Sequence, residues 1–168
     1  MSSELRHYLV VPIPEVAEVV DPWRDRSLGS GPSNGVPAHV TLLAPCPADE
    51  SGIRELLDGV AAFEVEFREV RRFTEVPTLY LAPEPPEPFV ALTRRLVERF
   101  PDWPPYGGIH GTTVIPHLTV AQGPTEDDAE RAVAKALPMR GCAREAILLV
   151  EVEPGRFETV ARFPFEAA

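Results

Sequence analysis

HLTVAQGPTEDD, residues 117–128, indicates how the chain is organised, because the same pattern occurs without a gap in HVTLLAPCPADE, residues 39–50. Both stretches begin with a histidine, an apolar residue and a threonine. Both then run through apolar residues into a proline-containing turn and end in acidic residues suited to a helix start. A recurrence at the residue level predicts an internal repeat.

The segments around the two motifs repeat one order of secondary-structure elements. Runs of β-branched, aromatic or alternating residues predict strands over 5–13, 39–44, 63–70, 78–83, 115–123, 146–153 and 156–165. Apolar residues at helical spacing predict helices around 16–23, 53–60, 89–100 and 129–137. Pro22 is a potential break in the first helix. We therefore expect a single domain with pseudo-repeat halves of about 1–75 and 76–168.

The two His-x-Thr motifs place like groups on like faces of two strands. Side chains alternate along a strand, so His39 and Thr41 share one face, as do His117 and Thr119. If a pseudo-two-fold axis relates the halves, the two strands lie side by side. Two imidazoles and two hydroxyls then meet in one cleft.

Such a site suits in-line displacement at phosphorus. One histidine takes a proton from the incoming water or hydroxyl, and the other gives a proton to the leaving oxygen. Imidazole, with an ordinary pKa of about 6.5, can hold either state near neutral pH. Threonine hydroxyls can donate to the phosphate oxygens. Nothing in this chemistry requires a cofactor or a metal.

Other readings of the reactive residues fit less well. A third His-x-Thr, at 110–112, follows two glycines and is interpreted as part of a loop. The two histidines lack a third ligand at metal-site spacing, and no glycine-rich phosphate loop is present. Cys46 and Cys142 have no ligand or nucleophile signature, so we expect free thiols.

Composition narrows the classes of partner. The 168 residues carry a net charge of −10, which argues against duplex DNA or a long RNA track but leaves a small or terminal phosphate open. No apolar run approaches the roughly 18 residues that cross a bilayer. We expect a monomeric cytoplasmic protein without a membrane partner.

The motifs carry a family resemblance. PAHVTLLAP and PHLTVA resemble the paired motifs of the 2H phosphoesterase superfamily, in particular its 2'-5' RNA ligase-like branch. The segments TLYLAPEPPEP, FPDWPPYGG and FETVARFPF also fit that branch. The resemblance implies an α+β fold, a bilobal pseudo-two-fold duplication in which two antiparallel sheets form a central cleft with helices on the outer faces.

The resemblance also implies roles for four residues. His39 and His117 take the acid and base roles, and Thr41 and Thr119 bind phosphate, in a metal-independent activity on 2',3'-cyclic phosphates. Tyr106, in the loop before the second motif, has two possible roles: it could stack on a base, or it could simply pack against the protein. Three further residues could either bind substrate or stabilise a sheet: Arg72, Tyr80 and Arg162.

The function predicted at this point is a cyclic phosphodiesterase that leaves a 2'-phosphate. Its substrate would be an RNA end, an oligonucleotide or a cyclic nucleotide. Two alternatives stay open. One is a 2',5'-phosphodiesterase or RNA ligase activity of the same residues, and the other is a nucleotide-binding module without turnover.

Overall fold

The structure, a computed structural model, describes residues 5–109 and 114–167. Four helices lie in these ranges: α1 Ala17–Ser27, α2 Glu50–Leu57, α3 Glu87–Arg99 and α4 Glu126–Ala134. The strands are β1 His7–Pro12, β2 His39–Cys46, β3 Phe63–Phe73, β4 Thr78–Glu84, β5 Leu118–Gln122, β6 Met139–Ala143, β7 Glu145–Glu153 and β8 Arg156–Pro164. No helix in the described ranges is long and apolar enough to cross a membrane.

The strands form two antiparallel sheets with matching orders. One sheet has the order β2-β1-β7-β8 and the other β5-β4-β3-β6. The orders correspond when β1 is matched with β4, β2 with β5 and β7 with β3. The fold class is confirmed as an α+β duplication of two antiparallel sheets. Division of the chain into halves at about residue 75 stays a prediction; β3 and β7 each lie in the sheet that holds the other half's motif strand.

One apolar core joins the two sheets. It contains Leu9 and Val40 from the first sheet and Phe67 and Leu118 from the second, none more than 1% exposed. The helices cross between the halves: α1 packs on β5 and α3 on β2. A hydrogen bond that involves a side chain joins each helix to the strand on which it packs. Thr93 of α3 donates to the Leu42 carbonyl oxygen at 2.7 Å, and the Gln122 N–H donates to Ser27 Oγ of α1 at 3.1 Å.

Two local features differ from the sequence predictions. Pro22 does not break α1, which continues to Ser27. Pro22 and Glu18 are both exposed, so water can reach the carbonyl that loses its helical partner. Strand β6 was not predicted because MRGCA lacks a run of β-branched residues. Gly141 allows its close packing, since a Cβ there would lie 2.5 Å from Ile13 Cγ2.

Candidate functional site

The two motifs lie on facing edges of the two sheets. β2 and β5 are edge strands that contact each other. His39 is the first residue of β2, whereas His117 immediately precedes β5. The predicted alternation holds in both motifs: the histidines and threonines are half-buried, and the residues between and after them are buried, namely Val40, Leu42, Leu118 and Val120.

Both histidines make the same local hydrogen bond. His39 Nδ1 lies 2.7 Å from the Pro37 carbonyl oxygen, and His117 Nδ1 lies 2.8 Å from the Ile115 carbonyl oxygen. A carbonyl oxygen only accepts, so Nδ1 carries the proton in each ring. Nε2 is therefore the nitrogen left for proton exchange with a ligand.

The two imidazoles have different electrostatic surroundings. Burial and the nearby charge of Arg24 lower the pKa of His39 to about 4, with a further contribution from His117. The hydrogen bond to the Pro37 carbonyl opposes that change. Burial also lowers the pKa of His117, against the hydrogen bond to Ile115. The two rings lie at the starts of strands that contact each other, and the charge of His117 contributes to the pKa of His39.

Arg24 is the charged group beside the first motif. Its side chain, on α1, is 1% exposed. Nη1 donates to Asp21 Oδ1 at 2.8 Å. Nη2 donates to three backbone carbonyl oxygens, those of Ser30 at 3.1 Å, Val36 at 3.0 Å and Pro37 at 3.1 Å. The guanidinium thus holds together the loop that leads into β2.

Aromatic side chains flank the second histidine. The Phe73 and Tyr80 rings stack with centroids 4.2 Å apart. The His117 ring meets both edge-on, with centroids 5.1 Å from Phe73 and 5.7 Å from Tyr80. Tyr80 is also the strand partner of Thr119. Of the three open candidates, Tyr80 is therefore the one that contacts a motif residue.

Tyr106 lies against the first motif. It belongs to the short 3-10 turn Pro105–Gly108, which packs on β2, and its side chain is hydrogen-bonded to that of Thr41. Burial raises the pKa of the Tyr106 phenol, and the Thr41 bond partly offsets this. Its backbone has φ 52°, a left-handed conformation that costs a non-glycine residue roughly 1–2 kcal/mol. This strained backbone conformation occurs at the residue whose side chain lies beside Thr41.

The remaining candidates lie elsewhere. Arg72 pairs with Asp127 and Glu130, and Arg162 with Glu145, all at the surface. The third His-x-Thr, at 110–112, lies outside the described residues.

Neither the cysteines nor a metal cluster adds a reactive group to this site. Both cysteines are free thiols, and burial raises the pKa of Cys46 to about 12. Such a thiol stays protonated and is no nucleophile at neutral pH. In the part of the chain that the structure describes, no group of three His, Cys, Asp or Glu side chains could hold a metal ion.

Sequence reasoning missed two neighbours of the histidines, Arg24 and Phe73. A signal for Arg24 was present: it follows Val16 and Val20 at steps of four, so it occupies the buried face of its helix. An arginine in an apolar stripe calls for a buried partner. Phe73 ends β3 and carried no distinguishing pattern.

Comparisons with known proteins agree with this geometry. A sequence profile described as the 2'-5' RNA ligase superfamily matches residues 12–157, which is most of the chain. No curated protein sequence matches.

Solved structures share the fold. LigT of Escherichia coli complexed with 3'-AMP has a TM-score of 0.62 at 19% identity, covering 97% of this chain and 99% of that one. LigT complexed with phosphate has a TM-score of 0.61 at 20% identity, and a phosphoesterase has 0.61 at 19%; each comparison covers 98% of this chain and 99% of the other. The resemblance inferred from the paired motifs is confirmed: this chain belongs to the 2'-5' RNA ligase superfamily of 2H phosphoesterases.

Proposed function

We propose that this protein is a metal-independent phosphodiesterase that opens 2',3'-cyclic phosphates to 2'-phosphates, with His39 and His117 as general acid and base. The observation that carries the proposal is the matched pair of histidines on facing strands. Each uses Nδ1 for a carbonyl two residues earlier, and each keeps Nε2 for a ligand. Two equally oriented imidazoles are what in-line displacement needs, one on each side of phosphorus.

The chemistry balances with these groups alone. One imidazole accepts a proton from water as the water oxygen attacks phosphorus. The bond between phosphorus and the 3'-oxygen breaks, and the other imidazole donates a proton to that oxygen. The products are a 2'-phosphate and a free 3'-hydroxyl. Thr41 and Thr119, each two residues after its histidine, donate hydrogen bonds to the non-bridging oxygens, where negative charge increases.

The ligands of relatives with this fold support a nucleotide substrate. LigT of E. coli has been crystallised with 3'-AMP, with phosphate and with ATP. All are phosphate ligands, and two are nucleotides. Beside His117, Phe73 is half-buried and offers a ring on which an unpaired base could stack, whereas its stacking partner Tyr80 is 5% exposed. An RNA end, an oligonucleotide and a small cyclic nucleotide would each present both a phosphate and a base.

Hydrolysis is favoured over ligation by the charge of the chain. Both reactions use the same bonds in opposite directions, but ligation must hold two RNA ends together. A net charge of −10 provides no evident basic track for two strands. We further propose that the protein acts as a monomer in the cytoplasm.

The test is turnover of the four 2',3'-cyclic nucleoside monophosphates in EDTA. We expect wild type to yield 2'-phosphates, identified by phosphorus NMR. His39→Ala and His117→Ala should each lower turnover by roughly 100- to 10,000-fold. His7→Ala is the matched control. Its Nδ1 also bonds a carbonyl two residues earlier, that of Leu5 at 3.1 Å, but it pairs with Cys46 at the far end of β2.

Each outcome separates the alternatives. If His39→Ala and His117→Ala both keep the turnover rate of wild type and of His7→Ala, the two-histidine mechanism is excluded. Turnover of 2',5'-linked dinucleotides in place of cyclic phosphates, lost with the same histidines, would favour the 2',5'-phosphodiesterase. Nucleotide binding that survives loss of both histidines, with no turnover of any substrate, would favour a binding module.

A further inference from the structure

Arg24 binds the loop before β2 through a guanidinium that is 1% exposed. A fully buried cation is expensive unless charge and hydrogen bonds compensate it. Asp21 supplies one partner, and the other three are carbonyl oxygens of the loop before β2. An apolar side chain in its place would leave those three carbonyl oxygens without this donor. The guanidinium therefore fixes the carbonyls that lead into the first motif and places a positive charge behind them.

Arg24 and His39 bind the same atom. Arg24 Nη2 donates to the Pro37 carbonyl oxygen at 3.1 Å, and His39 Nδ1 donates to that oxygen at 2.7 Å. The guanidinium and the imidazole are therefore less than about 6 Å apart. The shared oxygen fixes the ring's orientation and tautomer. The positive charge behind it opposes a second positive charge on the ring.

Among the residues that the structure describes, the second motif has no equivalent of Arg24. His117 bonds the Ile115 carbonyl in the same way. The helix that corresponds to α1 in the duplication is α3. Its buried residues are Phe89, Leu92, Thr93 and Leu96, without a cation among them. Within 5–109 and 114–167, the two sheets thus match in strand order, but a buried cation lies beside the first motif alone.

We propose that Arg24 is a positioning residue of the first motif, which holds the Pro37 carbonyl for His39 and directs the single proton of the histidine pair to His117. The free protein then presents His39 as the proton acceptor and His117 as the proton donor. This assignment rests on the proposed two-histidine function, to which it adds the direction of proton transfer. Arg24 itself stays behind the carbonyl, out of contact with substrate.

The other groups around His39 do not cancel this bias. Asp21 and Asp25 face Arg24 from its own helix and reduce its field in part. Tyr106 reaches the motif through Thr41 and is a neutral phenol, because burial raises its pKa. The pKa of His39, lowered to about 4 by burial, Arg24 and His117, agrees with the proposal. For His117, burial is the cause of the lowered pKa.

The test is a titration of ¹⁵N-labelled histidines by NMR in the free wild-type protein. The chain has four histidines, so His39→Ala, His117→Ala and His7→Ala variants assign the signals. We expect His39 to titrate at lower pH than His117, and both to show the Nδ1–H tautomer when neutral. If His39 titrates above His117, the proposal is overturned by the wild type alone.

Arg24→Gln and Arg24→Lys form a matched pair. Both are shorter and can still donate to a carbonyl, but only lysine keeps the charge. In Arg24→Gln we expect the pKa of His39 to rise by about one to two units, with a much smaller change at His117. In Arg24→Lys the order of the two histidines should persist. Equal shifts of both histidines in the glutamine variant would indicate a general loss of structure and refute the charge effect.

The titration is independent of turnover. Suppose that wild type hydrolyses no cyclic phosphate, but that the two histidines titrate in the expected order and the pKa of His39 rises in Arg24→Gln. This result would refute the proposed function and support the role of Arg24. Full turnover in a wild type whose His39 titrates at higher pH than His117 would support the proposed function and refute the role of Arg24. Where turnover is found, the acidic limb of kcat/KM should move to higher pH in Arg24→Gln and remain in place in Arg24→Lys.

Discussion

Removing the phenol oxygen of Tyr106 tests how the 3-10 turn before the second motif serves the first. Tyr106→Phe keeps the ring in its place against β2 but deletes the hydrogen bond to Thr41. The bond is present across the neutral range, because burial raises the pKa of the phenol and keeps it protonated. Under the proposed function, Thr41 then loses a group that orients its hydroxyl toward phosphate.

The expected magnitude follows from the type of bond. A neutral hydrogen bond contributes about 0.5–1.5 kcal/mol net. If the bond acts mainly on the orientation of Thr41, that range corresponds to a loss of about 2- to 10-fold in kcat/KM. A larger loss would mean that the phenol acts on more than Thr41. The free energy of unfolding should fall by about 1 kcal/mol or less, since the ring stays packed.

A double-mutant cycle on a 2',3'-cyclic nucleotide decides between these roles. If Tyr106 works through Thr41, Tyr106→Phe should cost nothing further in a Thr41→Ala background. Tyr8→Phe is the control: Tyr8 is half-buried in β1, packs edge-on against Phe157 at 5.7 Å, and should leave kcat/KM unchanged. Fully additive losses at Tyr106 and Thr41, or a wild-type rate for Tyr106→Phe, would refute the reasoning.

Two further predictions concern pH. The proposed mechanism needs one neutral and one protonated histidine, and the pKa of His39 is lowered to about 4 while that of His117 is lowered from 6.5. We expect kcat/KM to peak between these limits, and an optimum above about pH 7 would contradict the assignment. For stability, burial would raise the pKa of Glu15, but hydrogen bonds from Arg144 and the Cys142 N–H prevail and lower it below 4.5. Glu15→Gln should therefore cost about 1 kcal/mol or less in urea unfolding above pH 4.5, with the difference vanishing as pH falls below that value.

Much of the fold could be predicted because its local patterns were unambiguous. Alternation in 63–70 and the apolar runs at 39–44 and 146–153 each became a strand. The pattern could not reveal that β3 and β7 exchange between the sheets, since strand pairing depends on packing distant in sequence. β6 escaped prediction because its partner strand β3 and its close approach to Ile13 stabilise it, rather than its own residues.

The motif residues could be predicted because the duplication repeats them and the alternation of a strand orients them. The groups around them come from other elements. Arg24 is on α1, Phe73 at the end of β3 and Tyr106 in a 3-10 turn. No local pattern relates these positions to His39 or His117. Only the packed structure brings Arg24 to the Pro37 carbonyl, Phe73 to the His117 ring and Tyr106 to Thr41.

A duplicated fold poses a problem that acid–base catalysis must solve. The strand orders and the two Nδ1 bonds make the histidines equivalent, yet the proposed mechanism requires one to hold a proton while the other lacks it. Two identical imidazoles would share that proton equally, so half of the singly protonated molecules would face the substrate in the wrong state. A buried cation next to one ring removes the degeneracy without moving either ring. Arg24 occupies such a position behind His39, and the corresponding helix α3 buries Thr93 and apolar residues instead. On this argument the asymmetry that selects the direction of proton transfer resides in the helices, whereas the strands retain the symmetry that aligns the two histidines.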